Sequence, residues 1–412
     1  MARSPTPTID PALDAAALLR RVGFFGLFVV VPVVSQVARR ASVILAPIAV
    51  VLLVIASAID GRQRRLGPLG LRLLGSPAFL AGMLVVLWSA LSLAWTPFLG
   101  AAAERLANLV AVILLTLMGY LSLPDRMRSA NLYLLPLGVT VAALVAVLLG
   151  LFGEQLMRGS AEDDGALSRG LTLLALLVWP AVAWLRSRRR DREALAIALA
   201  VAAALAISPN LTQIVALVVG ALAFAVTSWR PRLGVLLTAG ISAGLLAAAP
   251  LLPFLARPVG AALFGPLAPG VLSLKSWQKV VTSEPLRLIT GHGFETALRG
   301  RFAGLVPMNA PTTALFEFWY ELGVVGSLAA AFALYASIRR AGRDNPLLVP
   351  GAMAAFASAF TIACIGVGLT VVWWLTAIAL TILVFVAIER GQFRTSRPKI
   401  SRLRRIRDGD AG

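Results

Sequence analysis

The sequence predicts an all-α polytopic membrane protein with about twelve transmembrane helices and one large outer-face loop region. Three observations predict it. Of the 412 residues, 59% are hydrophobic, and mean hydropathy is +0.85. Apolar runs of about 18 to 23 residues, the length that crosses a bilayer, recur from end to end. The runs are continuous and do not alternate, which argues against a transmembrane β-barrel.

Residues 1–21 read as a polar cytoplasmic arm with Arg3, Asp10 and Asp14. Apolar character begins near Val22 without a cleavable signal, so the first helix is expected to be retained. The runs fall at 22–38, 41–59, 78–95, 106–123, 131–153, 170–185, 194–208, 212–228, 233–255, 314–338, 347–368 and 370–388. Arg39 and Arg40 separate the first two and mark either a tight hairpin or a helix end. The chain thus divides into nine helices over 22–255, a loop region at 256–313, three helices over 314–388 and a basic tail at 389–412.

Net charge is +19. Placing both termini in the cytoplasm puts 27 of the 38 Lys and Arg residues inside and leaves 11 outside. The positive-inside rule therefore selects that orientation. The tail, with Arg402, Arg404, Arg405 and Arg407, is expected to lie against anionic lipid headgroups. The basic residues are scattered over short loops with no interleaved aromatics, which is not a nucleic-acid pattern. Cys364 is the only cysteine and His292 the only histidine, so neither a disulfide nor a zinc centre is expected. Repeats, Walker and Rossmann motifs are absent.

This orientation gathers polar chemistry on the outer face. The acidic loop with Glu162, Asp163 and Asp164 lies there, as does 256–313 with Lys275, Lys279, Arg287, Arg299 and Arg301. Within it, 272–290 carries Leu274, Trp277, Val280 and Val281 at helical spacing. It reads as an amphipathic helix at the outer interface, either an anchor or a roof over a lipid-linked substrate. Gly291-His292-Gly293 reads as a tight turn. His292 is either a structural hydrogen-bonder or a general base, because its pKa lies near neutrality. Arg169, where the acidic loop meets the next helix, either snorkels to headgroups or grips a diphosphate with its fork of donors. Arg105, Arg287, Arg299 and Arg301 offer weaker versions of the same choice. Ser208, Asn210, Thr212 and Gln213 form a polar break that is either a turn or a wall of the site. Glu317 and Glu321 lie one helical turn apart at the outer end of the tenth run, where an acid needs a partner such as arginine.

Five stretches together resemble the bacterial O-antigen ligase and O-antigen polymerase superfamily of polytopic glycosyltransferases. They are 87–97, with Trp88-Ser89 and Trp95-Thr96-Pro97; 168–180, with Ser168-Arg169-Gly170 and Trp179-Pro180; 208–220; 285–294, with Gly291-His292-Gly293-Phe294; and 311–326, with Glu321-Leu322-Gly323. They run in family order. Ligases of this family read Pro-His-Asn before Glu-Leu-Gly, whereas this chain has Thr312 and Thr313 after Pro311, so the family's candidate catalytic histidine has no equivalent here.

The resemblance implies a metal-independent, cofactor-free glycosyltransferase of the bacterial inner membrane. Its donor would be an undecaprenyl-diphosphate-linked glycan, and its acceptor a growing glycan or an acceptor glycolipid. Arg169 matches the arginine proposed to hold the lipid diphosphate. His292 would replace the missing base, with Glu295, Glu317 and Glu321 behind it. Thr312 and Thr313 could hydrogen-bond sugar. A polymerase-like or exopolysaccharide role is favoured over lipid A ligation, and the competing class is a scaffold or transporter in polysaccharide export. Arg169, His292 and the start of the tenth helix are expected to converge on one outward cleft.

Overall fold

A computed structural model describes residues 11–61, 75–156, 165–207, 211–343, 345–368 and 371–391, and among these every regular element is helical. Outside the described residues lie Arg3 and Asp10 of the arm, the acidic triplet 162–164, the turn residues Ser208 and Asn210, and the tail arginines.

Nine described helices are long and apolar enough to cross a membrane, or up to ten if a bent pair counts as one span. They are α1 (Pro11–Val34), α2 (Ala41–Ile59), α3 (Pro77–Ala94), α4 (Leu99–Ser122), α5 (Ser129–Phe152), α6 (Ala166–Ser187), α8 (Leu211–Trp229), α14 (Ala314–Ala341) and α16 (Val372–Arg390). Each of the remaining three apolar runs carries a helix that falls short of that test. α7 (Asp191–Ala206) has 16 residues and α15 (Val349–Ile365) has 17. The third run starts as α9 (Pro231–Ala247) and turns by 67° into the segment Ala249–Phe264, whose α-helical part is α10 (Leu252–Phe264). Pro250 and Pro253 explain the turn, since each removes an N–H and disfavours helix at the residue before it.

Helix α1 begins well before Val22, so 11–21 is helical and not a free polar arm. Arg20 pairs with Asp60 at the end of α2, which fixes this early start. The region 256–313 is likewise a set of short helices: α10, α11 (Pro269–Ser283), α12 (Arg287–Thr290) and α13 (Thr296–Phe302). The expected amphipathic helix over 272–290 stops at Ser283 because Pro285 forces Glu284 out of helical geometry. Its apolar face is turned to protein: Trp277 is buried and meets the Phe316 ring edge-on at 5.7 Å.

The hub is α6. Within its most apolar window 83% is buried, against 6% for α4. Helices α5, α7, α8, α15 and α16 surround it. Small residues let them approach. A Cβ on Gly220 of α8 would collide with Ser358 Oγ and the Trp179 ring, and one on Gly351 of α15 would lie 2.6 Å from Ala183 Cβ. Helix α14 belongs to a second packing group, between α3 and α9, with α12 docked on its N-terminal half.

Candidate functional site

The site is built on a break in α14. Gly323 has φ 65° and ψ −165° inside an otherwise helical stretch, a conformation open essentially to glycine. The break lets three successive carbonyls bond outside their own helix. Tyr320 O accepts from His292 N at 2.9 Å, Glu321 O from Gly293 N at 3.0 Å, and Leu322 O from Trp88 Nε1 at 2.8 Å. The two backbones approach so closely that a Cβ on Gly291 would collide with Glu321 O, and one on Gly323 with Ile289 O.

The end of α3 holds the same loop from the other side. Ser92 Oγ accepts from Phe294 N at 3.1 Å, and Thr96 Oγ1 donates to Phe294 O at 2.9 Å. Trp88 and Ser92 lie one turn apart near the end of α3 and Thr96 follows just beyond it, so all three grips come from one end of that helix. Gly293, at φ 102°, admits the Thr96 backbone, which a Cβ would approach to 2.8 Å. Three of the five stretches singled out by sequence, 87–97, 285–294 and 311–326, are thus one hydrogen-bonded unit.

His292 sits inside this clamp. Its ring stacks on Tyr320 at 4.0 Å and 10°. Nδ1 lies 3.1 Å from Tyr320 O, an acceptor, so Nδ1 carries the proton. Nε2 faces the Glu284 carboxylate at 3.3 Å. Burial lowers the His292 pKa, and the Tyr320 carbonyl and Glu284 offset part of that. The Glu284 pair asks for a charged ring and burial for a neutral one; burial dominates, because Glu284 is 58% exposed and its charge is screened by solvent.

The residue that the clamp delivers is Glu295. Its φ is 66°, unusual for a non-glycine residue, and its side chain is 1% exposed. Arg105 Nε lies 3.5 Å and Arg299 Nε 3.8 Å from its Oε1, yet neither carboxylate oxygen has a hydrogen-bond partner. Burial raises its pKa, opposed by Arg105 and Arg299 and assisted by Glu104. Phe98, Arg105, Glu295, Leu298, Arg299 and Phe302 line an open cleft of about 560 Å³.

A second space lies below. An apolar groove of about 470 Å³ runs between α3, α4, α14, α15 and α16, lined by Val85, Leu109, Phe294, Phe318, Ala363 and Leu375 among others. Arg105 of the cleft and Leu109 and Ile113 of the groove follow at four-residue intervals on one face of α4. The cationic cleft and the apolar groove therefore share a wall.

The other predicted residues distribute as follows. Glu321 is buried and accepts from Ala297 N at 3.0 Å, capping the start of α13. Glu317 is 7% exposed and acts electrostatically on Arg301, whose Nη2 donates to Pro311 O. Burial lowers the Arg301 pKa and Glu317 offsets it. Thr313 is the N-cap of α14, accepting from Phe316 N at 3.5 Å, while Thr312 and Arg287 are exposed. Arg169 donates to Arg39 O at 3.3 Å and lies over the Trp373 ring at 5.2 Å. Gln213 Nε2 donates to Ser168 and Thr172, at 3.3 Å to each hydroxyl, so it joins the Arg169 helix. The stretch 168–180 and the described part of the other, 211–220, thus form a second group. Gly368 lies against Glu317 of the first group, and Trp373 against Arg169 of the second.

Sequence reasoning set Glu295 behind His292 and left Phe98 and Phe302 unmentioned. Their signals were slight: an acid just after Gly-His-Gly-Phe, and two aromatics flanking arginines. Among the described residues no cluster of three or more His, Cys, Asp or Glu could hold a metal ion. Neither a family model nor a curated protein matches the chain.

Proposed function

We propose that the protein is a membrane glycosyltransferase of polysaccharide assembly, taking glycan from a polyprenyl-diphosphate donor at the outer face. The observation that carries this reading is the shared wall of α4: two arginines in an aromatic-rimmed cleft, directly above an apolar groove. A polyprenyl diphosphate has that same sequence of parts. Its tail suits the groove, its anionic head suits Arg105 and Arg299, and its sugar suits Phe98 and Phe302. Neutralising the diphosphate makes it a leaving group, and an acceptor hydroxyl then attacks the anomeric carbon. In this reading twelve segments cross the bacterial inner membrane, both termini are cytoplasmic, and 256–313 faces outward. The alternation is supported by contacts at the two ends of the bundle, Thr96 with Phe294 and Arg169 with Arg39 at one, Arg188 with the Gly391 carbonyl at the other. With Thr312 where ligases carry histidine, chain polymerisation is favoured over transfer to lipid A. Capping by Thr313 and Glu321 supports the second reading, a scaffold that has kept the architecture and lost the chemistry.

The test is transfer in proteoliposomes with undecaprenyl-diphosphate oligosaccharide as donor and as acceptor. The unmutated protein should yield products extended by whole repeat units. Arg105→Ala and Arg299→Ala should each lower turnover at low donor concentration by tenfold or more, with Lys restoring little, because a point charge does not replace a planar fork. Arg169→Ala is the companion variant, since the resemblance gives that arginine the same role. No product from the unmutated protein with several acceptors would leave the scaffold reading.

A further inference from the structure

We propose that Glu295 is the catalytic base of this cleft, shielded by Arg105 and Arg299 until a diphosphate draws them away. The inference rests on the transferase reading above and assigns its proton acceptor. It stands on four observations. Glu295 is almost completely buried, and both its carboxylate oxygens lack hydrogen-bond partners. A buried carboxylate in a finished structure is normally satisfied by donors, and the neighbouring Glu321 is, through Ala297 N. Its two arginines stand at 3.5 and 3.8 Å, beyond a good charge-assisted hydrogen bond of about 2.7–2.9 Å. Its backbone is held at φ 66° by a loop pinned at His292, Gly293 and Phe294 from two helices. The clamp fixes the position of Glu295 and leaves its side chain unsatisfied.

The surrounding charges tell what a bound anion would do. Arg105 and Glu104 face Glu295 from α4, Arg299 from α13, and Glu321 from α14 with Glu317 behind it. Two arginines thus face a cluster of carboxyl groups. A diphosphate in the cleft offers the arginines a stronger acceptor than one distant carboxylate oxygen. Their departure uncovers Glu295 and leaves it among carboxylates, where its affinity for a proton rises. Donor binding therefore switches the base on. In the transfer step, the acceptor oxygen bonds to the anomeric carbon as that carbon's bond to the diphosphate oxygen breaks. The electron pair leaves with the diphosphate and the acceptor proton passes to Glu295, which returns it to water before the next turnover. His292, three residues earlier, positions the loop: its Nδ1 is committed to Tyr320 O and its Nε2 faces Glu284, not the cleft.

Full-length protein in nanodiscs tests this with two readouts, the pH dependence of transfer and retention of undecaprenyl diphosphate without glycan. Glu295→Gln keeps the shape of the side chain and cannot take a proton. It should lower transfer by about a hundredfold or more and remove the acid limb of the pH–rate profile. It should bind undecaprenyl diphosphate at least as tightly as the unmutated protein, because the arginines have lost their carboxylate. Glu295→Asp should recover part of the rate and the acid limb. Transfer by Glu295→Gln at the unmutated rate would overturn the proposal, as would a rate loss matched by an equal loss of diphosphate binding, which marks a structural role. Loss of the acid limb in His292→Gln but not in Glu295→Gln would overturn it in favour of the histidine. Absence of both transfer and diphosphate binding in the unmutated protein would overturn the transferase reading itself, and this assignment with it.

Discussion

Glu295 and His292 lie three residues apart and face different surroundings. The sequence points first at His292, because a lone imidazole between two glycines has the right intrinsic pKa. Burial, tautomer and hydrogen-bond supply are properties of three-dimensional packing, and they set the two residues apart. His292 is stacked, bonded through Nδ1 and lowered in pKa by burial. The sign of the linkage follows. Released from its site, the ring takes up a proton near pH 6.5, whereas docked it does so only at lower pH. The docked loop is therefore favoured fully above that pH and loses stability as pH falls through the lowered value. Amide exchange at His292 and Gly293, corrected for the intrinsic rate, should accelerate between pH 7 and pH 5, and His292→Phe should remove that dependence. Protection that grows on acidification would mean that the Glu284 pair outweighs burial.

Helix α14 looks like one long apolar run, and its existence and limits are legible from composition alone. Its break is not. Glu-Leu-Gly is an ordinary helical string until the Gly323 φ of 65° is known, and no periodicity reports that angle. The same holds for α3, where Trp88 and Ser92 read as part of an apolar span although they grip α14 and Phe294. The region 256–313 was legible as a polar stretch between apolar runs, but its short helices follow from prolines and capping acids whose effect depends on what they pack against. Gly323→Ala tests the break. Its Cβ would meet backbone atoms of Ile289 and Gly291, which have no flexible end to yield. Together with the unfavourable φ this should cost at least about 1–3 kcal/mol, undock the loop and abolish transfer while the helical spans persist. Gly240→Ala in α9 is the comparison: nothing lies within 4 Å of its Cβ, so stability should hold or rise slightly. Thermal denaturation in detergent with exchange at the loop distinguishes the two. Equal behaviour of both variants would show that the Gly323 geometry is dispensable.

Across the whole protein, hydrophobic runs were enough to give the class, because a bilayer demands long helices with satisfied backbones. They were not enough to give the number of crossings, since α7, α15 and the bent segment after α9 fall at the margin of length. Nor could they show that five separated stretches sort into two groups, one around Phe294 and Glu295 and one around Arg169 and Gln213. Together the groups frame the choice that matters most: where a lipid diphosphate sits. Photo-crosslinking with a polyprenyl diphosphate carrying one reactive group near the head and another along the tail decides it, read by mass spectrometry of the labelled peptides. The head group should label 295–303 and the tail should label groove residues of α3, α14 and α15, both suppressed by unlabelled undecaprenyl diphosphate. Head labelling around Arg169 and Trp373, or tail labelling spread evenly over the lipid-exposed faces, would contradict the placement of the donor above the α4 groove.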